Sequence, residues 1–228
     1  MSTIGLIGAG KFGSNLARMA IAAGHHVVLS NSRGPESLYD LVAELGERAS
    51  AASRAEAALA GDLVVVSVPL YALRDVPTVE LAGKVVIDTT NYFPERDGTV
   101  PELERGEVTV SELLQEQLGK SKIVKCFNNL YYRHMSFLAR PSGAPDRTHL
   151  TIAGDDAEAK TVAAEFIDSI GYSVVDAGPL AEGWRFQAGR PAYAAYTDDT
   201  TEQDENGIHS PAIRTADKVR EALAKAKR

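Results

Sequence analysis

The sequence predicts an α/β fold of the Rossmann type: a doubly wound, mainly parallel sheet with a small irregular and helical C-terminal appendage. Three observations predict it. Short β-rich runs alternate with helical patterns from residue 3 to about residue 153, and such alternation builds a parallel sheet with helices on both faces. A glycine turn, Gly8-Ala9-Gly10-Lys11-Phe12-Gly13, stands between the first run and the first helical pattern. Beyond Gly178-Pro179 regular periodicity stops, and Gly183-Trp184-Arg185-Phe186 and Pro191 to Tyr196 form an aromatic-rich stretch. The division this implies is a dinucleotide-binding domain over 1–180 and an appendage over 181–228 packed on it.

The elements follow in order. Thr3–Ile7 reads as a strand, and Phe12, Leu16, Met19, Ala20 and Ala23 fall on one face of a helix that Gly24 is placed to end. With the strand His26–Ser30 this completes a βαβ unit. Leu63–Ser67, Lys84–Asp88, Ser121–Cys126 and His149–Ala153 read as further strands. A helix is expected from about Asp156 to Ile170, with acids at its start, Val162, Ala163, Phe166, Ile167 and Ile170 on one face and Gly171 after its end. Asp198 to Glu205 holds five acids in eight residues, and Pro211 to Arg228 is a basic helix candidate anchored by Val219 and Leu223. Both read as solvated surface, or as a tail that docks on a partner subunit.

Composition narrows the function. The chain has 228 residues, 44% hydrophobic and 24% charged, enough for a core without disulfides. Its net charge of −7 argues against nucleic acid as the main partner and favours small molecules. No segment is apolar enough to span a membrane, the N-terminus lacks a signal-peptide pattern, and the single cysteine, Cys126, reads as an inert buried side chain, so the expected location is cytoplasmic. Motifs for zinc hydrolysis, serine hydrolysis and P-loop phosphate binding are absent, and no metal site is expected. His25 and His26, at the start of the second strand, read as structural.

The glycine turn sits where a dinucleotide site requires it, after a strand and opening a helix. Gly8 permits the tight turn, Gly10 lets a pyrophosphate approach the backbone, and Gly13 allows close packing of helix on strand. Lys11 and Phe12 open the helix whose N-terminus faces the phosphates. An NAD site normally carries an acid about 20 residues further on, for the ribose 2′-hydroxyl. Here no acid occurs between Gly13 and Glu36. Asn31, Ser32 and Arg33 stand instead at the end of the second strand, and the Arg33 fork suits a 2′-phosphate, so NADP(H) is expected over NAD(H).

The Gly8–Gly13 turn, Ser32-Arg33, Gly154-Asp155-Asp156 and Asp176-Ala177-Gly178-Pro179-Leu180 together resemble the NADPH:coenzyme F420 oxidoreductase family over about residues 1 to 190. The stretches Asn31 to Glu36, Lys125 to Asn129 and Ala181 to Phe186 are similar to those of a bacterial branch. The resemblance implies a Rossmann domain with a small C-terminal part, often dimeric, that passes hydride between NADP(H) and a deazaflavin. Wider kin include imine and carbonyl reductases and the ferric-reductase domains of some membrane proteins. One departure is Ser37, where archaeal members carry a lysine. The resemblance also points to strand-end loops for the nicotinamide: Ser67, Val68 and Pro69, then Thr89 and Asn91, with Asn128 opening a stretch to Met135 whose amides and aromatics suit a flat acceptor ring.

The resulting expectation is an NADPH-dependent oxidoreductase acting on coenzyme F420 mainly by positioning two rings. The alternative enzyme reduces a small imine, carbonyl or ferric complex and needs a proton donor such as His134 or Tyr131. The alternative of another class is an NADP(H)-sensing module. An anionic deazaflavin further requires local cations, and Lys122, Lys125, Arg133, Arg140 and Arg147 are expected to converge beside the nicotinamide pocket.

Overall fold

Aliphatic residues alternate along the short strands, and that alternation divides the interior in two. Ile4, Leu6, Leu63 and Val65 enter one core, whereas Ile7, Val64 and Val66 enter another on the opposite sheet face. The computed structural model describes residues 1–228. Its eight strands are β1 (Thr3–Ile7), β2 (His26–Ser30), β3 (Ala49–Ala51), β4 (Leu63–Val66), β5 (Val85–Asp88), β6 (Lys122–Lys125), β7 (His149–Gly154) and β8 (Ser173–Asp176). They lie in the order β3-β2-β1-β4-β5-β6-β7-β8, and every pairing is parallel except β6 with β7. This is the expected α/β fold.

Helices cover both faces. Helix α1 (Lys11–Ala22) buries Leu16, Ala17 and Ala20 in the larger core, and α2 (Tyr39–Leu45) and α3 (Arg54–Ala60) carry the chain from β2 through β3 to β4. The short turns α4 (Pro94–Asp97) and α5 (Pro101–Glu104) precede α6 (Val110–Gln117), which packs Val110 and Leu114 into the smaller core. Helix α7 (Met135–Leu138) follows β6, and α8 (Ala157–Ser169) connects β7 to β8, started by Asp156, whose side chain accepts from the Ala159 N–H at 2.8 Å.

Strands β1 and β2 have the expected bounds, β4, β5 and β6 shorten by a residue at one or both ends, and β7 gains Gly154. Strands β3 and β8 were not anticipated. The first is only Ala-Ser-Ala, too short and too poor in branched residues to signal a strand. The C-terminal helix α9 (Ala216–Ala224) is shorter than the Pro211–Arg228 candidate, and its Val219 and Leu223 join the larger core together with Phe186, Ala192 and Tyr196. The acidic segment is not a helix and not a free tail. It turns back on the molecule through a bridge between Thr197 and Pro211. His25 is buried, with Nδ1 accepting from the Ser2 N–H at 3.3 Å and Nε2 2.9 Å from the Ser169 hydroxyl, whereas His26 is exposed.

Candidate functional site

The candidate site lies at the carboxyl ends of β1, β4, β5 and β6, where an open parallel sheet presents its loops to a ligand. Gly8 leaves β1 with φ of +110°, and a Cβ there would stand 2.1 Å from the Ser67 carbonyl oxygen, so only glycine allows this approach. A Cβ on Gly13 would meet the Gly8 carbonyl oxygen at 2.1 Å, which sets how closely α1 backs onto β1. Gly10 differs from both. Its φ of −80° suits any residue, and a Cβ would find nothing within 4 Å. The fold does not need glycine there, but a ligand crossing the start of α1 does. That helix end has no side-chain cap and no acid in its first turn, so its N–H groups and positive dipole end face the same open space.

Two grooves meet over this turn. The first, of about 390 Å³, is lined by Gly8, Gly10, Asn31, Ser32, Arg33 and Arg54 among others. Asn31 shapes it: Oδ1 accepts from the Arg33 N–H at 2.9 Å, and Nδ2 donates to the Ser37 hydroxyl at 2.7 Å, which donates in turn to the Gly34 carbonyl at 2.8 Å. Ser37, which departs from the archaeal lysine, is therefore a brace of the turn. The Arg33 side chain spends no donor within the chain. Arg54, not anticipated from the sequence, adds a second cation, with Nη1 3.4 Å from Asp75 Oδ2.

The second groove, of about 520 Å³, brings together Gly10, Lys11, Phe12, Ser67, Val68, Pro69, Thr89, Asn91 and Asn128. Its floor is held by a buried ion pair. Asp88 accepts from the Thr90 N–H at 2.9 Å and from the Ser111 hydroxyl at 2.6 Å, and Lys125 Nζ, 3.6 Å from Asp88, donates to the Thr90 carbonyl at 3.0 Å. Burial pulls the Lys125 ammonium below its ordinary pKa against the attraction of Asp88. Asn91 donates to the Asn128 carbonyl at 2.6 Å, and Asn128 Nδ2 reaches both Asn91 Oδ1 at 3.2 Å and the Phe186 carbonyl at 2.9 Å. The side-chain oxygens of Asn128 and Asn129 are buried without a donor. Thr89, Asn91 and Asn128 line the groove that continues from the cradle over Gly10, and such polar side chains in a largely apolar wall fit a nicotinamide carboxamide.

The walls are aromatic. Phe127 adopts φ of +64°, the one non-glycine residue in the left-handed region, and its ring stands 5.9 Å from that of Phe12. Such strain in a bulky residue is held only where the surroundings enforce it. Tyr131 and Tyr132 pack edge to face at 4.8 Å, Lys11 Nζ lies 5.6 Å from the centre of the Tyr132 ring, and Arg133 donates to the Tyr132 hydroxyl at 3.1 Å, holding that phenol below its usual pKa. Tyr193, Ala194, Thr197 and Ile208 close the C-terminal wall. Arg133 also lies 3.3 Å from Glu205, so the acidic segment is clasped to the rim.

Two expectations are corrected. His134 lines neither groove: it is buried behind Tyr131, ring centres 5.1 Å apart, and burial lowers its pKa. The five cations do not converge. Lys122 pairs with Asp156 and Glu158, Arg140 with Asp146, Arg147 with Asp168, and Lys125 is buried on Asp88, leaving Arg133 alone at the rim. Each cation is taken by the nearest carboxylate, most of them contributed by distant segments.

Residues 3–92 match the family described as NADP oxidoreductase, coenzyme F420-dependent. Over that stretch the chain is similar to that family. The F420-dependent NADP reductase of Methanocaldococcus jannaschii is 29% identical over 142 residues, 60% of this chain and 62% of its own length. The rat metalloreductase STEAP3 is 28% identical over 192 residues, 81% of this chain and 36% of its own length. The chain thus spans about a third of one curated relative and under two thirds of the other. A hypothetical protein of Sinorhizobium meliloti, SMa0349, shares 29% identity and a TM-score of 0.74, covering 94% of this chain and 97% of the other. The match to the F420-dependent family ends at Tyr92, so it includes the glycine turn, Arg33 and Thr89 to Asn91, but not the aromatic wall. Phe93, Arg96, Phe127, Leu130, Tyr193, Thr197 and Ile208 complete the second groove and were missed from sequence, although the aromatic run Pro191 to Tyr196 was a signal for Tyr193.

Proposed function

We propose that this protein binds NADP(H) across the glycine turn and is an NADP-dependent oxidoreductase whose acceptor sits in the 520 Å³ groove. The observation that carries this reading is the continuity of the two grooves, which share Gly10, Ser67, Val68 and Pro69. One end offers Arg33 and Arg54 to a 2′-phosphate, the middle offers the open cradle of Gly10 to the pyrophosphate, and the other end offers the polar lining of Thr89, Asn91 and Asn128 to a carboxamide. Bound there, NADPH supplies a hydride. The chain's residues orient the ring, through Thr89, Asn91 and Asn128, and exclude water with Phe12, Phe127 and the tyrosines. His134 keeps Tyr131 in place.

Coenzyme F420 is the acceptor we propose, because the family matched over residues 3–92 is described by it and the flat aromatic wall suits a deazaflavin ring. The dispersal of the five cations favours a second reading, a compact imine, carbonyl or ferric complex. Loss of NADPH absorbance against F420, a cyclic imine, a ketone and ferric citrate tests both. Turnover with F420 supports the first, turnover confined to the small acceptors supports the second, and tight NADPH binding without any turnover returns the protein to a sensing role.

A further inference from the structure

The acceptor groove carries two cations, Lys11 and Arg96, and no carboxylate, in a chain of net charge −7. Lys11 stands beside Gly10 on the cofactor side, over the Tyr132 ring. Arg96 belongs to the wall of Phe93 and Tyr193, and its guanidinium is aimed before any ligand arrives. Nε and Nη2 donate to the two oxygens of Asp97 at 3.0 and 2.8 Å, and Nη2 also donates to the Asn91 carbonyl at 2.7 Å. The guanidinium carbon lies 5.0 Å from the centre of the Phe93 ring. Asp97, its side chain fully buried, accepts from the Phe93 N–H at 2.9 Å as well, so its charge is spent inside the loop. Nη1 alone has no partner in the chain. A guanidinium fixed in place with one nitrogen, Nη1, left free to donate, in a groove without a carboxylate, can receive an oxyanion.

We propose that Arg96 anchors an anionic group, a carboxylate or a phosphate, on the hydride acceptor; the word acceptor rests on the oxidoreductase reading above, the anion site does not. Two acceptor classes share this chemistry. One is a small oxo or imino acid, and the other is a deazaflavin with a phosphate tail. The anchor comes from a residue outside the basic cluster from Lys122 to Arg147, and it lies next to the floor residue Asn91 rather than on the outer rim.

The test compares acceptor pairs that differ in charge. In the carboxylate arm, 1-pyrroline-2-carboxylate is set against 1-pyrroline; in the phosphate arm, F420 against its phosphate-free deazaflavin core. Arg96→Met keeps the stem of the side chain but frees Asn91 and the buried Asp97, so the reading is a ratio: KM for the charged member is expected to rise by about tenfold or more relative to KM for the uncharged member, with the NADPH Kd of each variant measured alongside. Arg96→Lys should recover part of the loss. The arm in which the effect appears names the acceptor class. Equal effects on both members, or none, overturn the anchor. If the wild type turns over no acceptor, the oxidoreductase reading fails and calorimetry still decides the site: oxalate and inorganic phosphate are titrated into NADP⁺-saturated protein. Binding by the wild type that Arg96→Met abolishes supports the anchor, and its absence in the wild type overturns it.

Discussion

A methyl group on residue 10 would strike nothing in the protein, so the effect of enlarging it is confined to what crosses the turn. Gly10→Val is expected to leave the circular dichroism spectrum and thermal midpoint nearly unchanged and to abolish NADPH binding in a fluorescence titration. Normal binding by the variant would mean that no dinucleotide passes there. Arg33 makes a complementary demand. Its fork is free of internal partners while Asn31 and Ser37 hold the turn beneath it. NADPH should therefore bind about tenfold or more tightly than NADH, and Arg33→Ala should remove most of that preference without weakening NADH. Equal affinities in the wild type would assign Arg33 to solvent.

At the scale of elements, the floor of the site depends on how α6 begins. Thr109 caps it in a capping box: its hydroxyl accepts from the Glu112 N–H at 3.2 Å, and Glu112 accepts from the Thr109 N–H at 2.7 Å. Two residues on, the Ser111 hydroxyl reaches Asp88 at the end of β5. Thr109 is buried, so Thr109→Ala should cost about 1 kcal/mol of stability, measured by urea unfolding, with NADPH affinity retained. Loss of cofactor binding at unchanged stability would be the contrary result. Elements also decide what could be read in advance. The glycine turn and Arg33 were legible because their demands are met within a βαβ unit of consecutive residues. Arg96 was not, since its meaning depends on Asn91, Asp97 and, across the groove wall, Tyr193. The cluster from Lys122 to Arg147 misled for the converse reason: density along the chain says nothing of the carboxylates of α8 and the 198–205 segment that fold onto it. His134 suits a proton donor by residue type and strand-end position alone, but it is buried against the Tyr131 ring and lines neither groove.

For the whole molecule, two buried histidines link stability to pH. His25 ties the N-terminal strand to the end of α8 and packs on Phe166, and His134 packs on Tyr131. Burial is the first cause lowering both pKa values, so the folded state favours the neutral rings. Between the lowered folded values and the unfolded value of about 6.5, the unfolded chain binds more protons, and stability rises with pH. Stability from these rings is complete above that value and is lost as the pH falls through the window. The midpoint of thermal unfolding should drop between pH 7.5 and pH 5.5, and His25→Gln should flatten the slope; an unchanged slope would exclude His25 as its source.

The residues shared by the two grooves set a sequence of events. Gly10, Ser67, Val68 and Pro69 line the acceptor's cavity as well as the dinucleotide's path, so part of the acceptor's floor is supplied by whatever lies over the turn. An acceptor arriving first would occupy space through which the dinucleotide must be laid. Steady-state rates are therefore expected to show compulsory order, NADPH entering first and NADP⁺ leaving last. NADP⁺ would then compete with NADPH alone, and a large excess of reduced acceptor would slow turnover by lingering on the enzyme that still holds NADP⁺.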